Sequence, residues 1–240
     1  MNKEVLILAV TRMIGGICVA GMSQDTDPVT GLRWVRPVRE HGHVLLGDIT
    51  TPDGTRMQPF DVVEFTLIQP RPEPPHVEDW ITDFSRERPR ILRRLEGERR
   101  DGFLRKHLDR APEEVLQRQE RSLCLIKPDW IKGAFRLDDY TGKLTARMAF
   151  GTGPWRYLGS IPKGGLATTD LKWRAFGRAW LPAEGGWLDF DEGDLEARFG
   201  IQEIVLAIGL TRSHEGSFWP IIVGVYTIPD YQALVDYDNL

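Results

Sequence analysis

The chain has 240 residues, of which 41% are hydrophobic and 28% are charged, and its formal net charge at pH 7 is −4. This is globular composition, and the length allows one large domain or two of about a hundred residues each. The negative net charge excludes nucleic-acid binding driven by a positive field over the whole molecule, so a polyanion site would have to be a local basic patch. No apolar run is long enough to cross a bilayer, and we therefore expect a cytoplasmic protein without a membrane partner.

Residues 1–70 have the pattern of a small β-barrel. Apolar runs near the N-terminus are followed by a period-two alternation over 32–38 and another strand-like run over 61–68. Gly31 and Gly54 supply turn signals between these runs. Short strands separated by turns, without helical periodicity, are typical of a barrel.

Residues 71–121 predict a proline-rich linker and a charged helical insert. Four prolines between positions 70 and 75 impose an extended segment. From His76 onward, arginines and acids interleave, and apolar residues such as Ile91 and Leu95 keep helical spacing. Ala111-Pro112-Glu113-Glu114 has the composition of a helix start.

Residues 122–240 again favour β-structure. Positions 143–150 alternate between apolar and polar residues, a short helix is expected after Asp170, and the glycines and acids over 185–194 indicate a loop. The whole chain is therefore predicted to be mainly β, with two small β-barrels joined by the charged helical segment.

One phrase occurs twice. Residues 6–12 (LILAVTR) are echoed by residues 206–212 (LAIGLTR), and each copy is followed by a loop and a second apolar run. This arrangement is typical of a β-hairpin and suggests two related β-units, each with an arginine where a strand meets solvent.

Arginines and tryptophans on the predicted strands form the candidate binding site. Single-strand binders combine cations, which contact phosphates, with aromatic rings, which stack on bases. In the first barrel, Arg33 points to one face of its strand, and Trp34 and Arg36 point to the other. The candidate contact residues are Arg12, Arg33, Trp34, Arg36, Trp155, Arg156, Lys172, Trp173, Arg174 and Arg212.

A structural interpretation of the same residues stays open. Tryptophans in small barrels are mostly core residues, and neighbouring arginines often extend over them. Arg12 and Arg212 either contact a ligand or pair with a buried carboxylate such as Asp48 or Asp61.

The sequence contains no motif for a known cofactor. It has no phosphate-binding glycine loop, no nucleophile elbow and no zinc-ligand spacing, so neither a cofactor nor a metal is expected. His41 and His43 have no companion ligands nearby in sequence, and the acids between Asp189 and Glu196 lack the order of a calcium loop. The distant residues Cys18 and Cys124 are interpreted as free thiols.

Several phrases resemble the prokaryotic dual OB-containing domain family. They are residues 9–12 (AVTR), 18–21 (CVAG), 31–38 (GLRWVRPV) and 209–212 (GLTR), the last followed by Trp219. The resemblance spans nearly the whole chain and implies two OB-type barrels, a helical connector and a nucleic-acid-binding role without a known reaction.

These observations favour a non-catalytic module that binds single-stranded nucleic acid. Two alternatives stay open: a protein-interaction subunit of a larger nucleic-acid-processing or defence complex, with the partner bound through residues 86–110, and a metal-dependent nuclease using acids such as Asp48, Asp61 and Asp189. The residues do not distinguish DNA from RNA as the ligand.

Overall fold

A computed structural model describes residues 1–13, 15–28, 30–138, 140–159, 164–182, 186–235 and 237. The chain divides into two compact units. The first consists of Met1–Phe103 and Ala111–Leu123, and the second of Leu104–Arg110 and Cys124–Leu240.

The first unit is a β-barrel with short helical additions. Its strands are β1 (Asn2–Met13), β2 (Gly16–Ser23), β3 (Trp34–Val38), β4 (Asp61–Pro70), β5 (Asp79–Thr82) and β6 (Arg90–Arg94). Its helical segments are a 3-10 turn at Leu46–Ile49, helix α2 (Glu113–Leu116) and the first part of helix α1 (Gly97–Lys106).

Five of these strands close into a barrel in the order β1-β2-β3-β5-β4, because β4 also pairs with β1. Strands β3 and β5 run parallel, and the other pairs are antiparallel. A closed, five-stranded barrel of this kind is OB-like, so the predicted mainly β, OB-like fold is confirmed.

The structure differs from the helical expectation for residues 76–96. Strand β5 completes the barrel, which therefore extends beyond residue 70, and β6 is an additional strand beside β4. The arginines of β6 pair across the sheet: Arg90 with Glu64 and Arg94 with Asp61. Their carboxylate partners lie about thirty residues earlier in the chain, so local charge spacing gave a misleading helical signal. Helix α1 begins only at Gly97.

The second unit combines two sheets with two helices. Its strands are β7 (Leu123–Ile126), β8 (Trp130–Leu137), β9 (Leu144–Thr152), β10 (Trp155–Tyr157), β11 (Leu166–Ala167), β12 (Trp187–Asp191), β13 (Glu203–Leu210) and β14 (Pro220–Ile228), and its helices are α3 (Leu171–Trp180) and α4 (Glu192–Phe199). One sheet has the order β10-β9-β8-β12 with β11 also on β9, and the other has the order β14-β13-β7. A parallel bridge between Thr168 and Ile222 joins them.

Aromatic packing holds α3 against one face of the larger sheet. The ring centroids of Phe135 and Phe190, on β8 and β12, are 5.0 Å apart, and that of Trp173 on α3 is 5.5 Å from Phe135. The helix predicted after Asp170 is therefore confirmed. The loop predicted over 185–194 is wrong from Trp187 onward, where β12 and α4 stand, while Gly185 lies outside the described residues.

The echoed phrases both lie on hairpin strands, as predicted. Residues 6–12 belong to β1, which is antiparallel to β2. Residues 206–210 belong to β13, which is antiparallel to β14. Each hairpin contains a β-bulge, so the repeated pattern marks the same local structure in the two units.

Asp170 fixes the start of α3. Its carboxylate accepts hydrogen bonds from the backbone N–H groups of Lys172 (2.8 Å) and Trp173 (3.1 Å), and from Val225 on β14 (2.7 Å). It is fully buried, and this burial raises its pKa from 3.8 to about 6 against the opposing effect of these hydrogen bonds.

This raised pKa predicts a pH-dependent contribution to stability. Because the folded-state pKa exceeds the unfolded one, the contribution of Asp170 is complete below about pH 4 and is lost as the pH rises to about 6. The Asp170→Asn variant keeps one capping oxygen and removes the titration. We expect the difference in free energy of unfolding between wild type and variant to shift in favour of the variant between pH 4 and 7, measured by urea denaturation. A difference that does not change with pH would contradict the assignment.

Candidate nucleic-acid interface

In the first unit, two of the predicted contact residues are buried. Trp34 is 3% exposed and Arg36 is 5% exposed, and all five residues of β3 are buried. The alternation over 32–38 therefore does not give a half-exposed strand, and neither side chain reaches a ligand from solvent in this structure.

Arg36 contacts two carboxylates, one at the start of β5 and one in the residue just before it. Its Nε lies 2.6 Å from Asp79 and one terminal nitrogen lies 3.5 Å from Glu78, whose carboxylate also accepts a hydrogen bond from Ser122. Burial would lower the pKa of Arg36, but the two carboxylates raise it above its ordinary value. Burial raises the pKa of Glu78 despite the arginine. Arg36 thus has the structural role of pinning the barrel.

Arg12 and Arg33 are exposed, as is Arg212 in the second unit. The carboxylates proposed to pin Arg12 and Arg212 have other partners: Asp48 pairs with Arg39 and Asp61 with Arg94. These three arginines therefore lie at the surface of their units.

In the second unit, the predicted group on α3 is also structural. Trp173 is 0% exposed, and its ring lies in the aromatic core. The Nζ of Lys172 lies 2.9 Å from Asp230, and Arg174 donates to the backbone carbonyl of Leu144. The pattern Lys-Trp-Arg therefore marks the amphipathic helix α3, whose tryptophan is buried and whose cations contact groups within the unit.

Trp155 and Arg156 on β10 are both exposed, Trp155 by 48%. The guanidinium of Arg156 lies 5.9 Å from the ring centroid of Trp130 on β8. The Arg156 side chain also donates to the carbonyl oxygens of Gly153 and Trp155, both at 2.9 Å. These bonds hold the cation beside an indole that the sequence analysis did not single out.

Trp130 belongs to the outer face of the sheet β10-β9-β8-β12. Along β8, Ile131, Gly133 and Phe135 are buried, whereas Trp130 and the other alternate positions are half-buried or exposed. We call the opposite side from α3 the outer face. Its aromatic and cationic residues are Trp130, Lys132, Arg136, Arg147, Arg156 and Trp187.

The strand register brings the indole of Trp130 and the guanidinium of Arg156 together. Gly151 on β9 is paired with both Trp130 and Arg156, so the three residues form one row across three strands. A Cβ at Gly151 would lie 2.2 Å from the indole Nε1 of Trp130. Glycine at this position therefore allows the indole to lie over the neighbouring strand.

A second pair of an indole and an arginine lies toward the other end of β8. Trp187 on β12 is paired with Arg136 and is 51% exposed, and the Arg136 guanidinium lies 5.9 Å from its ring centroid. Both guanidinium distances are near the outer limit for a cation–π contact. The indole surface is accordingly only partly covered by its arginine.

The charge of the outer face differs from that of the whole chain. It carries four cations, with Arg147 hydrogen-bonded to the Gly165 carbonyl at 2.7 Å. Two carboxylates share the face, Asp189 and Asp191, and Asp191 caps α4 by accepting from the Asp194 N–H. A local cationic excess thus coincides with two accessible aromatic rings.

A family model, the dual OB-containing domain, matches residues 3–166 of the chain. The chain belongs to the dual OB-containing domain family. No curated protein and no solved structure gives a significant match. The match is shorter than the resemblance suggested, because residues 209–212 and Trp219 lie beyond it.

Most of the aromatic and cationic residues of the outer face lie within the range of the chain that the dual OB family model matches. Trp130, Arg136 and Arg156 fall within residues 3–166, while Trp187 is contributed by a strand outside it. Sequence reasoning missed Trp130 and Trp187, although the period-two alternation over 130–137 was a usable signal. Trp187 begins a shorter alternation that continues to Asp191, and its pairing with β8 places it on this face.

The acids proposed for a metal-dependent nuclease belong to both units of the chain. Asp48 and Asp61 are engaged by arginines in the first unit, and Asp189 belongs to the second. Within the described residues, no three His, Cys, Asp or Glu side chains are grouped as metal ligands.

No helix in the described part of the chain is long and apolar enough to span a membrane.

Proposed function

We propose that the protein binds single-stranded nucleic acid through the outer face of the second unit. The observation that carries the proposal is the combination of the half-buried indole of Trp130 and the exposed indole of Trp187, each beside an arginine, on a sheet face with four cations and two carboxylates. Membership of the dual OB family supports a nucleic-acid-binding module of the OB type. No residue of the outer face is assigned a catalytic role.

The preference for single strands follows from the chemistry of the indoles. A base stacks on an aromatic ring only when its own face is free, and this is the case in an unpaired strand. In a duplex the base faces are covered by their neighbours, and only the phosphates would remain available to the cations. Stacking contributes about 1–3 kcal/mol per base in such sites, so two platforms are sufficient to favour the unpaired strand.

Salt dependence tests the proposal. Four cations in contact with a single strand predict that log K falls with log salt with a slope of about −3. Fluorescence polarisation with labelled dT20 and rU20 measures this slope, and a mixed-sequence single strand, compared with its own duplex, measures the preference. We expect tighter binding of the unpaired strand. Absence of binding to dT20 and rU20 at low salt would refute the proposal.

Protein interaction through β6 is a second candidate function. This strand is the last in the order of its sheet, and Leu92, which lies at a bulge in its pairing with β4, is 39% exposed. Arg86 and Arg88 precede it and are exposed. An edge strand of this kind suits an acidic, extended partner segment. Replacing all of residues 86–110 would not test it, because this range contains the barrel-bound strand β6 and the buried Leu104.

A further inference from the structure

We infer that the bound single-stranded nucleic acid runs along β8, with one base stacked on the indole of Trp130 and another on the indole of Trp187. This inference rests on the proposed function and adds the path and minimum length of the ligand. The two indoles stand toward opposite ends of the same strand, because Trp187 is paired with Arg136, six residues after Trp130.

The surface between the indoles is shaped for close approach. The outward positions there are alanines on both central strands: Ala134 on β8 is half-buried, and Ala149 on β9 is buried at 9% exposure. The large residues adjacent to them, Phe135 and Phe150, are fully buried on the inner face. At Ala134, no large outward side chain stands between β8 and a nucleotide backbone above it.

Cations line the same path. Lys132 is paired with Ala149, and Arg147 is paired with Ala134, so a positive charge accompanies each small residue on the β8–β9 side. On the β12 side, Asp191 is paired with Lys132 and Asp189 with Ala134, so the two carboxylates border the path there. Lys132 is exposed, and Arg147 is half-buried with its guanidinium held by the Gly165 carbonyl. On the side of β8 away from these carboxylates, the order between the two indoles is therefore Lys132 and then Arg147. A strand whose terminal bases stack and whose intervening phosphates are neutralised matches this order.

The spacing sets the length of the ligand. Six residues along a β-strand cover about 20 Å. A stacked strand rises about 3.4 Å per nucleotide, so about six nucleotides bridge the two indoles, and fewer are needed if the strand is extended. This length lies within the range of about 4–16 nucleotides that OB folds occupy. A dinucleotide reaches only one of the two platforms.

Competition with a length series tests the path. Unlabelled dT2, dT4, dT6, dT8 and dT12 displace labelled dT20 from the full chain at low salt. We expect the affinity to rise steeply up to about six nucleotides and only slightly beyond that length. Equal affinity for dT2 and dT12 would overturn the inference. If dT20 itself does not bind, the proposed function fails instead, so the two failures are distinguishable.

Variants locate the platforms. We expect Trp130→Ala and Trp187→Ala each to weaken dT12 binding about tenfold, and the loss of either indole to remove the gain between dT2 and dT6. Trp219→Ala is the matched control, because Trp219 is 59% exposed and follows the turn between β13 and β14. An equal loss in Trp219→Ala, or an unchanged length dependence in Trp187→Ala, would overturn the inference. Trp187→Ala is sufficient for the test if Trp130→Ala does not fold, because half of the Trp187 side chain contacts only solvent.

Discussion

Arg36→Ala is expected to lower the free energy of unfolding by about 3–5 kcal/mol, because it leaves two carboxylates buried without a counter-charge. The side chains of Glu78 and Asp79 are both 0% exposed. Hydration cannot replace the guanidinium there without opening the barrel between β3 and β5. Urea denaturation of the full chain, followed by circular dichroism, measures the change.

Arg36→Lys is the matched control for this effect. It keeps a positive charge but cannot reach Asp79 and Glu78 together with the geometry of a guanidinium, so its loss should be smaller than that of Arg36→Ala. The folded fraction of either variant should bind single-stranded nucleic acid as the wild type does, because Arg36 is not at the surface. A loss of affinity without loss of stability would contradict the structural role assigned to Arg36.

Reversing the charge of Arg136 and Arg156 together is expected to reduce affinity for dT20 on the order of 100-fold or more. Each arginine supplies a cation beside an indole, and hydrogen bonds to charged groups contribute about 1.5–3 kcal/mol each. Glutamate at these positions also repels phosphates. Fluorescence polarisation at constant salt measures the loss of affinity, and a thermal melt checks that the doubly substituted protein remains folded.

Arg86→Glu/Arg88→Glu is the control with the same change in net charge. Both arginines are exposed and belong to the first unit, whereas the outer face belongs to the second. We expect this control to keep more than about a tenth of the wild-type affinity, because neither arginine belongs to the outer face. If it is as severe as the double substitution on the outer face, the binding site belongs to the first unit. Loss of a copurifying protein in this control, with nucleic-acid binding intact, would support the protein-interaction function of β6.

Arginine occurs in two environments in this molecule, and their difference reconciles the acidic net charge with the polyanion site that we propose. Carboxylates neutralise arginine within the barrel at Arg36 and across β6 at Arg90 and Arg94. The outer face keeps its four cations next to only two carboxylates. Net charge averages over both environments and therefore conceals the local excess.

The sequence by itself determined the local structure of several elements. Period-two alternation predicted β9, the apolar runs predicted β1 and β4, and Asp170 marked the beginning of α3. These patterns were reliable because strand and helix periodicity depends on neighbours in the chain. The echoed hairpins and the mainly β class follow from the same local signals.

Only the tertiary structure decided which arginines and tryptophans face solvent. Arg36 and Arg156 both lie within two residues of a tryptophan in strand-like sequence. Arg36 nevertheless contacts Asp79, forty-three residues away, while Arg156 lies near Trp130 at the surface. Trp173 on α3 packs against rings from β8 and β12 and is buried, whereas Trp187 on β12 is half exposed to solvent. Burial and ion pairing depend on residues that folding brings together from distant positions, and such partners leave no periodic trace in the local sequence.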